Sequence, residues 1–222
     1  MSTQLSAKMS TAMGADGWIS PDWLSRPAVE VAPDLLGCRL VRQWPDGRQL
    51  EAVIVETEAY TEGDPACHAY RRETPRNRVM FGPAGYSYVY LIYGIYHCFN
   101  VVTDQDRVPS AVLIRAVELE TVPPWLAQDR HAKYRGKRPE KPTRWGAGPG
   151  KTCQLLDIDR RLTEQPLIPA SGLWLALPTA QWRQRVAPSH NRTQTTRIGL
   201  TQGTDLPWRW YVEDSAAVSK RA

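Results

Sequence analysis

Alternating apolar and polar positions predict a chain rich in antiparallel strands. Trp44-Pro45-Asp46-Gly47 has proline and glycine where a tight turn needs them, so a hairpin is predicted between the first two strands. A short helix is predicted over residues 32–36, closed by Gly37. The predicted strands occupy residues 38–44, 50–60, 85–102, 110–118, 173–177, 196–200 and 208–213.

The domain organisation follows from length and composition. The 222 residues fit one domain of ordinary size, predicted over residues 21–213. Residues 1–20 are rich in Ser, Thr, Ala and Gly, and we expect a disordered lead-in there. Residues 119–145 are proline-rich and basic, which favours a surface loop or a short helix. Residues 214–222 are expected to form a tail without a clear element.

The charge distribution is compatible with a nucleic-acid partner. A net charge of +5 is mild for such a protein, but the cationic residues are clustered. Residues 130–161 hold ten Lys and Arg, and residues 71–78 hold four Arg. A solvated basic face gives the same pattern, so charge alone does not distinguish the two.

The four cysteines favour neither disulfides nor a metal site. They lie far apart without a CxxC pair, and the N-terminus has no secretory apolar region, so we expect a reducing, cytoplasmic location and no membrane span. Cys67-His68 and His97-Cys98 suggest zinc. Neighbours on an extended strand point to opposite faces, however, so one ion could not easily take all four, and we expect no metal.

The first candidate chemistry lies in the strand over residues 51–60. Period-two alternation places Glu56, Glu58 and Tyr60 on one face, which brings carboxylates beside an aromatic ring. An edge strand with a solvated acidic face would show the same pattern.

Tyrosines dominate the run over residues 85–100. Tyr86, Tyr88 and Tyr90 share one strand face, and Gly94 suits the left-handed position of a turn, which would place Tyr93 at a hairpin tip. Tyrosine is also a good strand former, so ordinary sheet packing is the alternative. An exposed ring at a tip can unstack a base step, and flanking rings can hold an extruded base.

Arg115 stands in the middle of an otherwise apolar run. A guanidinium there needs an anionic partner, because burying an unpaired charge costs several kcal/mol or more. We nominate Glu58 as that partner, with a purely structural ion pair as the alternative.

Two further segments are candidates for phosphate contacts. Arg76 and Arg78 lie in a short cationic loop, although a plain charged turn would look similar. Gly146-Ala-Gly-Pro-Gly-Lys-Thr152 is similar to a nucleotide-binding P-loop, but Trp145 stands where that motif needs its first glycine and Pro149 removes a backbone donor. A nucleotide triphosphatase is therefore disfavoured, while Lys151 stays a candidate for a DNA phosphate.

Four blocks together resemble the alkyladenine (3-methyladenine) DNA glycosylase family. They are VETEAY at 55–60, TPRNRVMF at 74–81, YVYLIYGIYHCFN at 88–100 and VLIRAVE at 112–118. The resemblance runs from about residue 21 to 213. It implies a single α+β domain with a curved antiparallel sheet and a protruding β-hairpin that enters the minor groove of DNA.

The resemblance also implies roles for individual residues. Glu58 matches the general base, and Arg115 matches the residue that orients the attacking water. Tyr93 matches the intercalating side chain. Asn100 matches the position that screens the exocyclic group of the purine. Three further residues match the walls of the family's base pocket: Tyr60, His68 and Tyr90.

The activity expected from this resemblance is excision of damaged purines from double-stranded DNA. The implied substrates are 3-methyladenine, 7-methylguanine, hypoxanthine and ethenoadenine. The catalytic blocks contain no Lys for a Schiff base, so we expect base release without strand cleavage. We expect a monomer without a cofactor, cytoplasmic and associated with the nucleoid if the source is bacterial. A base-stacking binding module without catalysis is the main alternative, whereas the HxE and PCxxC signature of zinc deaminases is absent.

Overall fold

Eight strands form one curved antiparallel sheet in the computed structural model, which describes residues 17–133 and 139–222. The spatial order is β3-β4-β5-β2-β1-β6, and β8 pairs with both β2 and β7. The predicted α+β class is confirmed. The strands are β1 (Arg39–Gln43), β2 (Gln49–Tyr60), β3 (Ser87–Ile92), β4 (Tyr96–Val102), β5 (Ala111–Glu118), β6 (Leu173–Ala176), β7 (Arg192–Thr195) and β8 (Arg209–Val212).

Helices flank this sheet. Short 3-10 turns connect several of the elements, at Arg78–Phe81, Pro142–Arg144, Arg160–Leu162, Pro169–Ser171 and Ser189–Asn191. The helices are α1 (Pro21–Leu24), α2 (Ala28–Asp34), α3 (Pro124–Lys133), α4 (Pro149–Leu156) and α5 (Ala180–Val186). No helix of the described ranges has the length and apolar character needed to cross a membrane.

One face of the sheet packs on the hydrophobic core. Helix α2 covers part of it, because Ala28, Val31 and Ala32 recur at helical spacing and are all buried. The hydroxyl of Thr57 donates to the carbonyl of Ala32 at 2.9 Å and joins the helix to β2. The buried sheet residues that share this face occupy alternate positions: Val55, Ala59, Val89, Phe99, Val101, Val112, Ile114 and Ala116.

The opposite face carries the chemistry-bearing side chains. β2 is central, since it pairs with β1, β5 and β8, so the alternative of an edge strand with a solvated acidic face is wrong. Glu56 and Glu58 are both fully buried on this strand. The predicted alternation on β2 is therefore confirmed, with its acidic face turned inward rather than to water.

The register between β2 and β5 shifts twice, and the shifts surround Arg115. Ile54 pairs with Val117, Glu56 pairs with Ala116, and Thr57 pairs with Ile114. Val55 and Arg115 are thus left without a direct partner on the other strand. Such bulges change where a side chain points, and here the irregularity lies at the ionic centre of the sheet.

Not every predicted element is present. The strand predicted at 196–200 is wrong, because β7 ends at Thr195 and the chain then leaves the sheet. Arg197 forms a buried ion pair with Asp64, and the amide of Ile198 donates to the carboxylate of Glu58 at 2.8 Å. The side chain of Arg197 and the backbone of Ile198 therefore make tertiary contacts in place of strand pairing.

The predicted helices also need correction. The helix expected over residues 32–36 begins earlier, at Ala28, and ends at Asp34. Helix α3 supplies the short helix allowed for residues 119–145, while α1, α4 and α5 were not predicted. Helix α4 was missed because its first turn carries proline and glycine, although proline is well tolerated at the first helical position.

Both ends of the described chain belong to the folded unit. The amide of Ile19 donates to Leu175 at 2.8 Å and Ile19 is buried, so residues 17–20 are not part of a disordered lead-in. The rest of that prediction, residues 1–16, lies outside the described residues. The tail predicted at 214–222 has no regular element, but Ala217 and Val218 are buried against the domain.

Candidate active site

A cavity of about 510 Å³ lies on the polar face of the sheet, within the size range of small-ligand sites. Residues of strands β2 to β5 line it together with residues 147–151 and 198–200. It brings together nearly all of the predicted site residues. Those that line it are Glu58, Tyr60, His68, Arg76, Tyr90, Tyr93, Asn100, Arg115 and Lys151.

Glu58 lies at the floor of this cavity. Its Oε1 accepts from the amide of Ile198 at 2.8 Å, and its Oε2 accepts from the hydroxyl of Tyr60 at 2.9 Å. Nη1 of Arg115 lies 3.4 Å from the same Oε2. A fully buried carboxylate is stable only with such partners, and each of these contacts fixes its orientation.

Arg115 joins two buried carboxylates. Its Nη1 faces Glu58, which confirms the nominated partner, and its Nε lies 3.3 Å from Oε1 of Glu56. The same Nε donates to the hydroxyl of Ser219 at 3.1 Å. The guanidinium is only 12% exposed, so it faces the cavity while its rear is held by protein. This arrangement goes beyond the single ion pair expected from sequence.

Three aromatic side chains form one wall of the cavity. The His68 ring lies edge-on to Tyr90, with centroids 4.6 Å apart, and Nδ1 of His68 lies 2.8 Å from the hydroxyl of Tyr88. Asn100 is buried beside them and donates to the carbonyl of Tyr88 at 3.0 Å. The wall is therefore held by hydrogen bonds, which suits a slot that must keep its shape when empty.

The protonation states of this wall follow from burial and nearby charge. Burial raises the pKa of Tyr88 to about 12, and burial together with Glu58 raises the pKa of Tyr60 well above its usual range. Partial desolvation, assisted by the positive charge of Arg76, lowers the pKa of His68 to about 4. At neutral pH the tyrosines keep their protons and His68 is neutral, which favours His68 as pocket lining over His68 as a cationic acid.

Desolvation is the larger cause of the low pKa of His68, and the charge of Arg76 adds to it. We therefore expect Arg76→Ala to raise this pKa above about 4 but not to the ordinary value of 6.5, because only the nearby positive charge is removed. The pKa is measured by NMR titration of the imidazole carbon-bound protons. Arg72→Ala, at an exposed arginine of the same loop, is the matched control and should leave the titration unchanged. An unaltered His68 titration in Arg76→Ala would contradict the contribution assigned to the charge of Arg76.

The lowered pKa of His68 predicts that the folded state becomes less stable as the pH falls. The folded-state pKa of His68 is below that of the unfolded chain, so protons bind the unfolded state more tightly between these values. The contribution of His68 to stability is present above about pH 6.5 and is lost as the pH falls through 4.

Tyr93 occupies the tip of the β3–β4 hairpin, as predicted. Tyr93 and Gly94 both have positive φ angles, of 55° and 73°, and the amide of Ile95 donates back to Ile92 at 3.3 Å. Gly94 takes this conformation freely, whereas a tyrosine does so at a cost of about 1 kcal/mol. Tyr93 is 81% exposed and Ile95 is 66% exposed, so the tip presents apolar surface to solvent.

The three candidate phosphate-binding side chains are placed differently. Arg76 lines the cavity with its guanidinium 5.3 Å from the centroid of Tyr90. Arg78 lies outside the cavity and makes a paired contact with Glu164, at 3.0 and 2.8 Å. Lys151 lies at its rim and forms an ion pair with Glu140. Their roles toward DNA stay predictions, and for Arg78 and Lys151 a phosphate must compete with a carboxylate.

The glycines near Lys151 have a packing explanation. A Cβ on Gly146 would collide with the carbonyl of Val117 on β5, so close packing excludes any side chain there. The segment follows the 3-10 turn at Pro142–Arg144 and not a strand. Both observations agree with the rejection of a P-loop.

Several contributors to the site were missed in the sequence. The alternation on β2 predicts the correct face for Glu56 but not its contact with Arg115. The alternation on β3 predicts that Tyr88 shares a face with Tyr90 but not its contact with His68. The amide of Ile198 has no residue-type signal, because any non-proline residue offers the same donor. Ser219 lies in a tail that showed no pattern.

The described residues offer no cluster of three or more His, Cys, Asp or Glu side chains suited to a metal ion. Cys38, Cys67, Cys98 and Cys153 are all buried and unbridged. Burial raises the pKa of the Cys98 thiol, which lies on the cavity wall. These cysteines therefore behave as small core side chains.

Comparison with known proteins agrees with this geometry. The family model described as methylpurine-DNA glycosylase (MPG) matches residues 22–216. A relative from Trichodesmium erythraeum is 52% identical over 202 residues, covering 91% of this chain and 97% of its own length. A relative from Methanocella arvoryzae is 44% identical over 205 residues, covering 90% and 95% respectively. Both carry the name "Putative 3-methyladenine DNA glycosylase".

The family match spans far more than the four blocks that first suggested it. It includes both buried carboxylates of β2, Arg115 and the hairpin tip, and the relatives align over nearly their whole length. The resemblance noted in the sequence is thus confirmed. This chain belongs to the methylpurine-DNA glycosylase family.

Proposed function

We propose that the protein is a monofunctional DNA glycosylase that flips an alkylated or deaminated purine out of the duplex and hydrolyses its N-glycosidic bond. The observation that carries this proposal is the buried Glu58 and Arg115 pair at the floor of a cavity lined by aromatic side chains. A groove that only binds DNA gains nothing from a carboxylate at its base, since phosphate repels it. Catalysis of glycosidic hydrolysis does need one.

The chemistry assigned to Glu58 follows from its position. As the bond between the sugar and the base breaks, the electron pair leaves with the purine and positive charge develops on the sugar. Glu58 stabilises that charge and takes a proton from the water whose oxygen attacks the anomeric carbon. Arg115, whose Nη1 lies 3.4 Å from Oε2 of Glu58, orients that water.

Base recognition is assigned to the aromatic wall. Tyr60, His68 and Tyr90 stack on the flipped purine, and Asn100 screens its exocyclic group. The guanidiniums of Arg76 and Arg197 already lie over Tyr90 and Tyr60, at 5.3 and 4.7 Å from the ring centroids. We therefore expect shape and hydrogen bonding to contribute more to selection than attraction of cationic purines to these rings.

The substrates proposed are 3-methyladenine, 7-methylguanine, hypoxanthine and ethenoadenine in double-stranded DNA. Damaged or mispaired bases cost less to extrude, so discrimination begins before a base enters the cavity. The protein is proposed to act as a monomer in the cytoplasm, associated with the nucleoid if the source is bacterial. No strand cleavage is proposed, because Lys151 at the cavity rim pairs with Glu140 and stands in none of the catalytic blocks.

The test is release of free base from duplex oligonucleotides that each carry one of the four lesions. Release from at least one of them, without strand nicking before alkali is added, supports the proposal. Binding to the same duplexes without release from any lesion would instead favour a base-stacking module. Nicking without alkali would reject the monofunctional assignment.

We expect Tyr93→Ala to impair base extrusion more than overall DNA binding. The exposed ring is proposed to fill the space that the flipped base leaves, and stacking of one base is worth roughly 1–3 kcal/mol, or about 5- to 150-fold. Extrusion is followed by 2-aminopurine fluorescence beside the lesion, and affinity by titration. Tyr70→Ala, at another exposed tyrosine, is the control. Equal losses of extrusion and affinity would count against the wedge role.

A further inference from the structure

We propose that the C-terminal segment Ser215–Lys220 positions the Arg115 guanidinium for the reaction, with Ser219 and Glu56 as the residues that act on it. This inference rests on the proposed function, because it concerns how the same site is held. Glu58 and Arg115 line the cavity, whereas Ser219 and Glu56 do not and contact Arg115 from behind it. Ser219 and Glu56 are positioning residues and not catalytic ones.

The contacts of Ser219 carry the inference. Its hydroxyl accepts from Nε of Arg115 at 3.1 Å and lies 3.0 Å from Oε1 of Glu56, to which it donates. Its amide donates to Oε2 of Glu56 at 2.7 Å. One residue therefore links the catalytic arginine to the second buried carboxylate of β2.

Glu56 is held from the other side as well. Nη1 of Arg209 on β8 donates to Oε1 of Glu56 at 2.9 Å and to the carbonyl of Lys220 at 2.8 Å. Glu56 is fully buried and the Arg209 side chain is 3% exposed, so this part of the network is shielded from water. Low local dielectric strengthens such contacts and makes their loss costly.

The rest of the segment is tied to the domain. Nη1 of Arg144 donates to the carbonyls of Ala216 and Val218 at 2.7 and 2.8 Å. The hydroxyl of Ser215 donates to Glu118 at 2.5 Å, and Ala217 and Val218 are buried. These contacts fix where Ser219 reaches the network, although the segment has no regular secondary structure.

The consequence for the site is geometric. Arg115 has its Nε edge occupied by Ser219 and Glu56, which leaves Nη1 facing Glu58. Arg115 stands at a register shift of the sheet, where the strand pairing alone constrains it less. Displacing a water-orienting group by about 1 Å can cost roughly a hundredfold in rate. The contact of Ser219 with Nε of Arg115 therefore helps to hold the guanidinium in the position that the reaction needs.

The experiment compares Ser219→Ala, Ser219→Thr and the control Ser189→Ala, which makes the same change at an exposed serine. Single-turnover base release is measured at saturating protein, and DNA affinity is measured separately. We expect Ser219→Ala to lower the release rate by roughly tenfold with affinity within about twofold, as for loss of one hydrogen bond to a charged group. Ser219→Thr, which keeps the hydroxyl, should restore most of the rate, and Ser189→Ala should match the wild type.

A double-mutant cycle separates positioning from simple structural support. In the Arg115→Ala background, Ser219→Ala should cause little further loss, because its effect passes through the guanidinium. An equal loss in both backgrounds, or a wild-type rate in Ser219→Ala, would overturn the inference. A parallel fall of rate, affinity and thermal midpoint that threonine does not rescue would also overturn it.

The outcomes keep this inference apart from the proposed function. If the wild type releases no base from any lesion, the proposed function fails. If the wild type releases base and Ser219→Ala does so equally fast, only the positioning role fails.

Discussion

We expect Glu58→Gln to lower the single-turnover rate of base release by roughly 10²- to 10⁴-fold, which is the usual contribution of a general base. Glutamine keeps the shape of the side chain but can neither take a proton from water nor offer negative charge to the developing sugar cation. DNA affinity should fall little or rise, since a negative charge is removed from a surface that faces phosphates.

The substitution is chosen so that the fold survives it. The amide oxygen of glutamine can still accept from Ile198, and its NH₂ group can donate to the hydroxyl of Tyr60. Arg115 keeps Glu56 as an anionic partner at 3.3 Å, so no buried charge is left alone. Loss of rate can therefore be attributed to the carboxylate.

The control is Glu51→Gln, the same change on the same strand at an exposed residue that pairs with Arg39. Its release rate should equal that of the wild type at matched DNA occupancy. Base release by Glu58→Gln within about threefold of the wild type would remove Glu58 from the mechanism, because general-base catalysis contributes far more than that.

The parts of the site that were predictable from sequence are those encoded by local periodicity. On β2, period-two alternation suffices to place Glu56 and Glu58 together, because strand geometry fixes which face each side chain takes. The turn at Gly94 follows from the conformational freedom of glycine, which places Tyr93 at the tip. Arg115 was conspicuous because an arginine in an apolar run needs a partner.

The parts that were not predictable depend on contacts between distant segments. Ser219 lies 104 positions from Arg115, and Ile198 lies 140 positions from Glu58. A single hydroxyl or a backbone amide has no recognisable pattern in one sequence, since both occur throughout the chain. The wrong strand prediction at 196–200 also results from contacts between distant segments. Local strand propensity favours a strand there, but the ion pair of Arg197 with Asp64 and the hydrogen bond from the amide of Ile198 to Glu58 stabilise a different conformation.

That ion pair gives the largest expected effect on stability. The side chains of Arg197 and Asp64 are fully buried, and Nη2 of Arg197 donates to Oδ1 of Asp64 at 2.9 Å while Nη1 contacts Oδ2. Nη1 also donates to the carbonyl of Ala59 at 2.9 Å, beside Tyr60. The pair thus joins the loop after β7 to the end of β2, and the Arg197 guanidinium lies 4.7 Å from the ring centroid of Tyr60, which lines the cavity.

We expect Asp64→Ala to reduce the free energy of unfolding by about 3–5 kcal/mol, because it leaves the Arg197 guanidinium buried without a counter-charge. The comparison is urea unfolding followed by tryptophan fluorescence. Asp46→Ala, which breaks an exposed pair with Arg48, should cost no more than about 1 kcal/mol.

The double variant Asp64→Ala/Arg197→Met tests the reason for this loss. Removing the stranded charge should make the double variant more stable than Asp64→Ala alone, even though the carbonyls of Ala59 and Gly203 lose their donor. If the two losses simply add, the cost of Asp64→Ala does not come from an unpaired arginine. The loss would then be assigned to the missing acceptor for the amide of Ala66, which donates to Oδ1 of Asp64 at 3.0 Å.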